Sequence, residues 1–174
     1  MVETAAALDR AANSDSLTQL PNRRATMVVL DRAMNQFRAE GMPLALALVD
    51  IDRFKSINDT YGHADGDRVL REFAARLRKH VSEDAHVGRW GGEEFLIVLT
   101  RVAARDAMRI LQDLRSHIAA QTFNISQGDI VVTASIGLSA IHGGETSGLV
   151  SVLARADQAL YLAKSNGRNR VEAV

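Results

Sequence analysis

Val87-Gly88-Arg89-Trp90-Gly91-Gly92-Glu93-Glu94-Phe95-Leu96-Ile97-Val98-Leu99 holds two strand-like runs, Val87 to Trp90 and Phe95 to Leu99, separated by paired glycines. Glycine tolerates the positive backbone angles of a tight turn. The stretch therefore predicts a β-hairpin with two carboxylates, Glu93 and Glu94, directly after its turn.

Upstream, Leu44 to Val49 is a continuous apolar run that breaks into Asp50-Ile51-Asp52, the pattern of a fully buried strand delivering carboxylates at its C-terminal end. Between that run and the hairpin, Val69, Leu70, Phe73 and Leu77 share one face of a helix over Asp67 to Lys79. Another helix is capped by Asn22 and runs to about Glu40, with Met27, Leu30, Met34 and Phe37 at helical spacing and Gly41 and Pro43 ending it. Ala103 to Ala120 and Leu149 to Ser165 are further helices, the last ending near Gly167, and Ile130 to Ile141 is rich in strand formers. Strand, helix, hairpin, helix, strand and an added helix give an α+β fold: a ferredoxin-like βαββαβ core whose central, mostly antiparallel sheet is covered by helices on one face.

The 174 residues fit one domain, and the 21 basic and 21 acidic side chains cancel. No net field recruits nucleic acid or an acidic membrane, although a local basic pocket can still grip phosphate. With no cysteine there are no disulfides, no thiolate chemistry and none of the common zinc sites, so hard oxygen ligands and magnesium or manganese are what remain. Met1 to Asn13 lacks the regions of a secretion signal and no later run is long enough to span a membrane, so a soluble, cytoplasmic domain is expected. Residues 2–13 are alanine-rich with Leu8 as the sole large anchor, which predicts a helical connector over 1–13 toward an upstream domain, with the folded domain over 14–174.

Asp50, Glu93 and Glu94 converge at one sheet edge if their strands are neighbours, and such a cluster repels itself unless a cation occupies it. Three solvated loop carboxylates fit the same spacing. Gly91 and Gly92 would let a base or ribose lie against the backbone, although an ordinary hairpin asks for the same residues. Lys55 follows Asp50 by five positions, and Lys164 and Arg168 are four apart near the end of the last helix, on one face of it. These cations suit a polyphosphate, or equally a solvated helix end.

Asn58, His63 and Asp67 fall in a polar loop leading into a helix, where Asp67 could serve as a cap and His63 as a surface residue. Alternatively Asn58 and Asp67 read guanine, whose N1 and N2 donors suit a carboxylate while N3 and O6 accept from an amide. No Gly-x-x-x-x-Gly-Lys-[Ser/Thr] loop is present, nor a Gly-x-Gly-x-x-Gly opening a helix after a strand. Asp50-Ile51-Asp52 fails as a calcium loop because Lys55 stands where glycine is required.

Together these residues fall in blocks that resemble the GGDEF family of diguanylate cyclases. The blocks are Asp15-Ser16-Leu17-Thr18 with Leu20-Pro21-Asn22-Arg23-Arg24, the segment from Asp50 to Asp59, and Tyr61-Gly62-His63-Ala64-Asp65-Gly66-Asp67. Gly91-Gly92-Glu93-Glu94-Phe95, Ser135-Ile136-Gly137, and Ala156-Asp157 through Tyr161, Lys164, Gly167, Arg168 and Asn169 complete them, so the resemblance spans Asp15 to about Val171. It implies a fold akin to nucleotidyl cyclases and polymerase palms, and condensation of two GTP into cyclic di-GMP with release of two pyrophosphates, across a two-fold dimer of half-sites. By the same resemblance Asp50, Glu93 and the Ile51 carbonyl bind magnesium or manganese, two ions per half-site, with Glu94 in support. Glu93 also helps deprotonate the ribose 3′-hydroxyl, so Asp50, Lys55, Glu93 and Glu94 are the implied catalytic set.

The resemblance further implies that Asn58 and Asp67 read guanine, that His63 lines the pocket beside Gly91 and Gly92, and that Lys55, Lys164 and Arg168 hold the β and γ phosphates. Backbone groups at Arg53 and Phe54 add phosphate donors. The implied partners are GTP, a second protomer and an upstream sensor, with no nucleic acid and no membrane. Glutamate at the third position of the signature is an accepted variant in the family. One departure concerns control: many relatives carry an inhibitory Arg-x-x-Asp, and here Ser82 and Ala85 occupy those positions, so that site is absent. A GTP-binding sensor without turnover, a cyclase of different purine preference and a dimerising interaction domain are the competing readings; Asp67 argues for guanine, and the signature shows no damage.

Overall fold

The computed structural model describes residues 12–174. The expected connector over 1–13 lies outside the described residues apart from Ala12 and Asn13, which are helical. The elements are α1 (Arg23–Glu40), β1 (Leu44–Ile51), α2 (Phe54–Tyr61), α3 (His63–His80), β2 (His86–Gly91), β3 (Glu94–Thr100), α4 (Ala104–Ala120), β4 (Phe123–Ile125), β5 (Gly128–Ile130), β6 (Ala134–Ile141), α5 (Leu149–Ser165) and β7 (Val171–Ala173).

Five strands form one sheet in the order β2-β3-β1-β6-β7, and β4 and β5 make a separate hairpin. All neighbours in the main sheet are antiparallel except β6 and β7, which are parallel because α5 crosses over between them. The α+β core with a central, mostly antiparallel sheet is therefore as expected. The register sets Asp50 of β1 between Glu94 of β3 and Ser135 of β6.

Helices cover both faces of the sheet rather than one. Every residue of β1 is buried, and its side chains alternate between two cores. Ala45, Ala47, Val49 and Ile51 pack with Val69, Phe73 and Leu77 of α3 and Leu111 and Leu114 of α4. Leu44, Leu46 and Leu48 pack with Leu30, Met34 and Phe37 of α1 and Val152, Ala156 and Leu160 of α5. A strand without a polar face needs cover on each side, and α1 and α5 supply the second layer.

The boundaries have local causes. The Asn22 side chain accepts a hydrogen bond from the Ala25 amide at 3.0 Å, which caps α1 as expected. At Gly137 a Cβ would stand 2.2 Å from the backbone of both Ala156 and Leu160, so this glycine is what lets α5 lie directly on β6. On the opposite face Phe73 packs at 5.3 Å from Phe95 and 6.4 Å from Phe123, ring centroid to centroid, joining α3, β3 and the β4–β5 hairpin.

Three local expectations are corrected. Asn58, His63 and Asp67 are helical rather than in a loop: α2 takes up Phe54–Tyr61, and α3 begins at His63 with Gly62 as its cap. Asp67 thus lies a turn inside α3 and caps nothing. Arg168 is past the end of α5 with φ +64, so it does not share a helical face with Lys164; Asn166 caps α5, and Gly167 at φ +119 turns the chain away.

Candidate active site at the C-terminal end of the central strand

Asp50 is the penultimate residue of β1, 5% exposed, and directly opposite Glu94. The hairpin turn consists of Gly92, at φ +43, and Glu93, so Glu93 lies in the turn and Glu94 opens β3. The Ile51 amide donates to the Glu93 carbonyl at 3.4 Å, tying the turn to the end of β1. Burial pushes the Asp50 carboxyl up from 3.8 to about 6; Lys164 works against the rise, and the charges of Glu93 and Glu94 add to it. The Lys164 ammonium sits 2.9 Å from Asp50 Oδ2.

Among the described residues no three His, Cys, Asp or Glu side chains converge into a metal cage. The donors fit a hard divalent cation in another respect. Asp50 resists ionisation chiefly because it is buried, even with an ammonium bound to it, and the charges of Glu93 and Glu94 add to the rise; a cation of higher charge would offset both. Asp50, Glu93, Glu94 and the Ile51 carbonyl are the oxygen groups that could hold one.

Beyond β1 the chain turns sharply at Arg53, φ +56, into α2, whose first turn carries Phe54, buried, and Lys55, exposed. The leading amides of a helix have no partner within it and favour anions. Lys55 does not join the acids: its ammonium pairs with Asp59 at 2.8 Å. The Asn58 amide rests against Gly66 of α3, the residue before Asp67. Asn58 and Asp67 are half-buried, while His63, Gly91, Gly92 and Arg168 are exposed.

Two further acids organise this end of the fold, and sequence reasoning assigned neither a role. Asp52 is 7% exposed and accepts from Thr133 Oγ1 at 2.7 Å, Ser135 Oγ at 2.6 Å and the Asn169 amide at 3.0 Å. It thereby fastens the left-handed residues Arg168 and Asn169, φ +64 and +46, to the sheet. Its spacing of two from Asp50 was the available signal, because residues i and i+2 of an extended chain share a face. Asp15 accepts from the Thr18 amide and hydroxyl at 2.8 and 2.7 Å and from Arg89 through both its oxygens at 3.0 Å. Burial alone would raise its carboxyl, but Thr18 and Arg89 bring it below its ordinary value. The same guanidinium donates to the Gly92 carbonyl at 2.8 and 3.0 Å, so the N-terminal turn is linked to the glycine turn.

Two surface clefts lie beside Ser82 and Ala85, and neither is lined by Asp50, Glu93 or Glu94.

Residues 12–170 match the profile of the diguanylate cyclase GGDEF domain. The chain is 44% identical over 163 residues to the response regulator PleD of Caulobacter vibrioides, a match covering 92% of this chain and 36% of PleD. It therefore spans little more than a third of that relative's length. The coiled coil and GGDEF domain of DgcB from Caulobacter crescentus, solved in complex with c-di-GMP, has a TM-score of 0.92 at 35% identity, covering 99% of this chain and 91% of that one. The active GGEEF domain of a diguanylate cyclase from Vibrio cholerae has a TM-score of 0.80 at 37% identity, covering 87% and 96%. The chain belongs to the GGDEF family of diguanylate cyclase domains.

Proposed function

We propose that this domain condenses two GTP molecules into cyclic di-GMP, and that its edge site is one half of the reaction centre. The observation that carries the reading is Asp50, a buried acid of raised pKa, held opposite Glu94 and beside the glycine turn in a chain of this family. The related Vibrio cholerae domain, an active GGEEF domain with the same signature, supports an intact rather than damaged site.

In this reading Asp50, Glu93, Glu94 and the Ile51 carbonyl hold magnesium or manganese, two ions per half-site. Bound metal supplies Lewis-acid stabilisation of the attacking and leaving oxygens. Glu93 accepts the proton of the ribose 3′-hydroxyl. That oxygen bonds to the α-phosphorus of the second GTP, the α–β phosphoanhydride breaks, and pyrophosphate leaves. A second transfer in the opposite sense closes the ring.

Released from Asp50, Lys164 would hold the β and γ phosphates with Lys55 and Arg168, and the leading amides of α2 at Arg53 and Phe54 would donate to the same group. Asn58 and Asp67 read guanine, with His63, Gly91 and Gly92 bordering the nucleotide. Each half-site holds one GTP, so two protomers must face each other around a two-fold axis for each 3′-oxygen to reach the other's phosphorus. An upstream sensor would act by setting that encounter, and the domain would work in the cytoplasm.

Incubation with GTP and magnesium, followed by product chromatography, tests the reading. Cyclic di-GMP and pyrophosphate in a ratio of one to two are expected, both abolished by Glu93→Gln. Nucleotide binding without either product would refute it.

A further inference from the structure

Gly66 occupies a helical position in α3, where alanine is the better helix former. Its backbone is not left-handed, so conformation does not call for glycine. The constraint comes from α2. A Cβ at residue 66 would stand 1.8 Å from Asn58 Oδ1 and 3.0 Å from Asn58 Cγ, with Phe54 Cζ at 3.4 Å. The terminal amide of Asn58 therefore lies on the bare Cα of Gly66. Among the described residues none hydrogen-bonds that side-chain amide, although the Asn58 carbonyl accepts from Gly62 at 2.8 Å.

We infer that Gly66 is a positioning residue for guanine recognition: by lacking a side chain it seats the Asn58 amide with its oxygen against Gly66 and its nitrogen left to donate to the base. The inference rests on the reading that Asn58 contacts guanine. A polar group held by packing and left without a protein partner is suited to discriminate a ligand, because its bonding capacity is not already spent. A methyl at position 66 displaces the amide rather than the helices, since the atoms it strikes are the end of a flexible side chain. Gly66→Ala then keeps the fold, with alanine's helix preference in its favour, and misplaces the reader.

The test is calorimetric binding of guanosine 5′-[α,β-methylene]triphosphate, which cannot release pyrophosphate, with magnesium, to wild type, Gly66→Ala, Asn58→Ala and the double variant, alongside thermal midpoints. Gly66→Ala should bind about five- to tenfold more weakly, the worth of about one hydrogen bond, with a midpoint no lower than wild type. The double variant should bind no worse than Asn58→Ala alone, because truncating asparagine removes what the methyl would strike. Wild-type affinity in Gly66→Ala while Asn58→Ala is impaired, or losses that multiply in the double variant, would overturn the inference. Wild-type affinity in Asn58→Ala would instead remove the base-reading role on which it rests.

Discussion

The Lys164 ammonium lies 2.9 Å from Asp50 Oδ2, so the last turn of α5 and the end of β1 meet through an ion pair at the point where the acids gather. Lys164 is about a third exposed and Asp50 is buried, so one partner is free to leave and the other is not.

Asp50 gives the site a defined pH response. An acid whose folded pKa is about 6 rather than 3.8 holds its proton more tightly folded than unfolded. That advantage is lost as pH rises through this window, and at neutral pH the ionised group costs up to about 3 kcal/mol of stability. Asp50→Asn cannot ionise, so it should be the more stable protein by denaturant midpoint at about pH 7.5, with the difference closing near pH 4. A difference that does not change with pH would show that Asp50 is not the titrating group. The same proton competes with a divalent cation, so magnesium-dependent nucleotide binding should weaken below about pH 6.

Arg89 joins Asp15 to the Gly92 carbonyl. Arg89→Ala leaves a part-buried carboxylate with Thr18 alone and frees the glycine turn, so thermal or chemical denaturation should show a loss of about 2 kcal/mol. Turnover should fall further than binding, since the loosened turn carries Glu93. Equal effects on kcat and KM with unchanged stability would contradict this role.

Asp52 anchors Asn169 and so the turn bearing Arg168. Asp52→Ala strands two hydroxyls and an amide, and should raise the KM for GTP about tenfold. Asp52→Asn keeps an oxygen for the Asn169 amide and should recover most of that loss, while the affinity for GMP, which lacks the β and γ phosphates, should change little in either variant. A parallel fall in GMP affinity would mean general disruption rather than loss of phosphate contacts.

Ser82 and Ala85 line a cleft with Arg78, Lys79 and His86 but supply neither the arginine fork nor the carboxylate that would grip a cyclic dinucleotide. Calorimetry should find no submicromolar binding of cyclic di-GMP there, and Ser82→Arg with Ala85→Asp should introduce it. Tight binding in the wild type that is lost on mutating this segment would contradict the prediction.

Much of this architecture was legible because its signals are local. The apolar run of β1 ending in acids, the Asn22 cap and the span of α5 each follow from adjacent residues. Element α2 escaped because in eight residues it buries only Phe54, too little for a periodic signal, and β7 is a three-residue edge strand. Cover on both sheet faces is implied by a strand with no polar side, a consequence the one-sided expectation left undrawn. The acids and glycines of the site were visible as a pattern, but the Lys164–Asp50 and Asn169–Asp52 contacts close over separations of 114 and 117 residues, which only the folded chain reveals. Gly66 looked like part of a loop until the helix around it made its missing side chain informative.

In the proposed mechanism one protomer holds half a reaction centre. Its most direct test is the initial rate of cyclic di-GMP formation from saturating GTP and magnesium across a wide range of protein concentration, with Glu93→Gln as the inactive control. Rate per protomer should climb with concentration and level off once dimers dominate. Constant activity per protomer from a protein that remains monomeric throughout would contradict it.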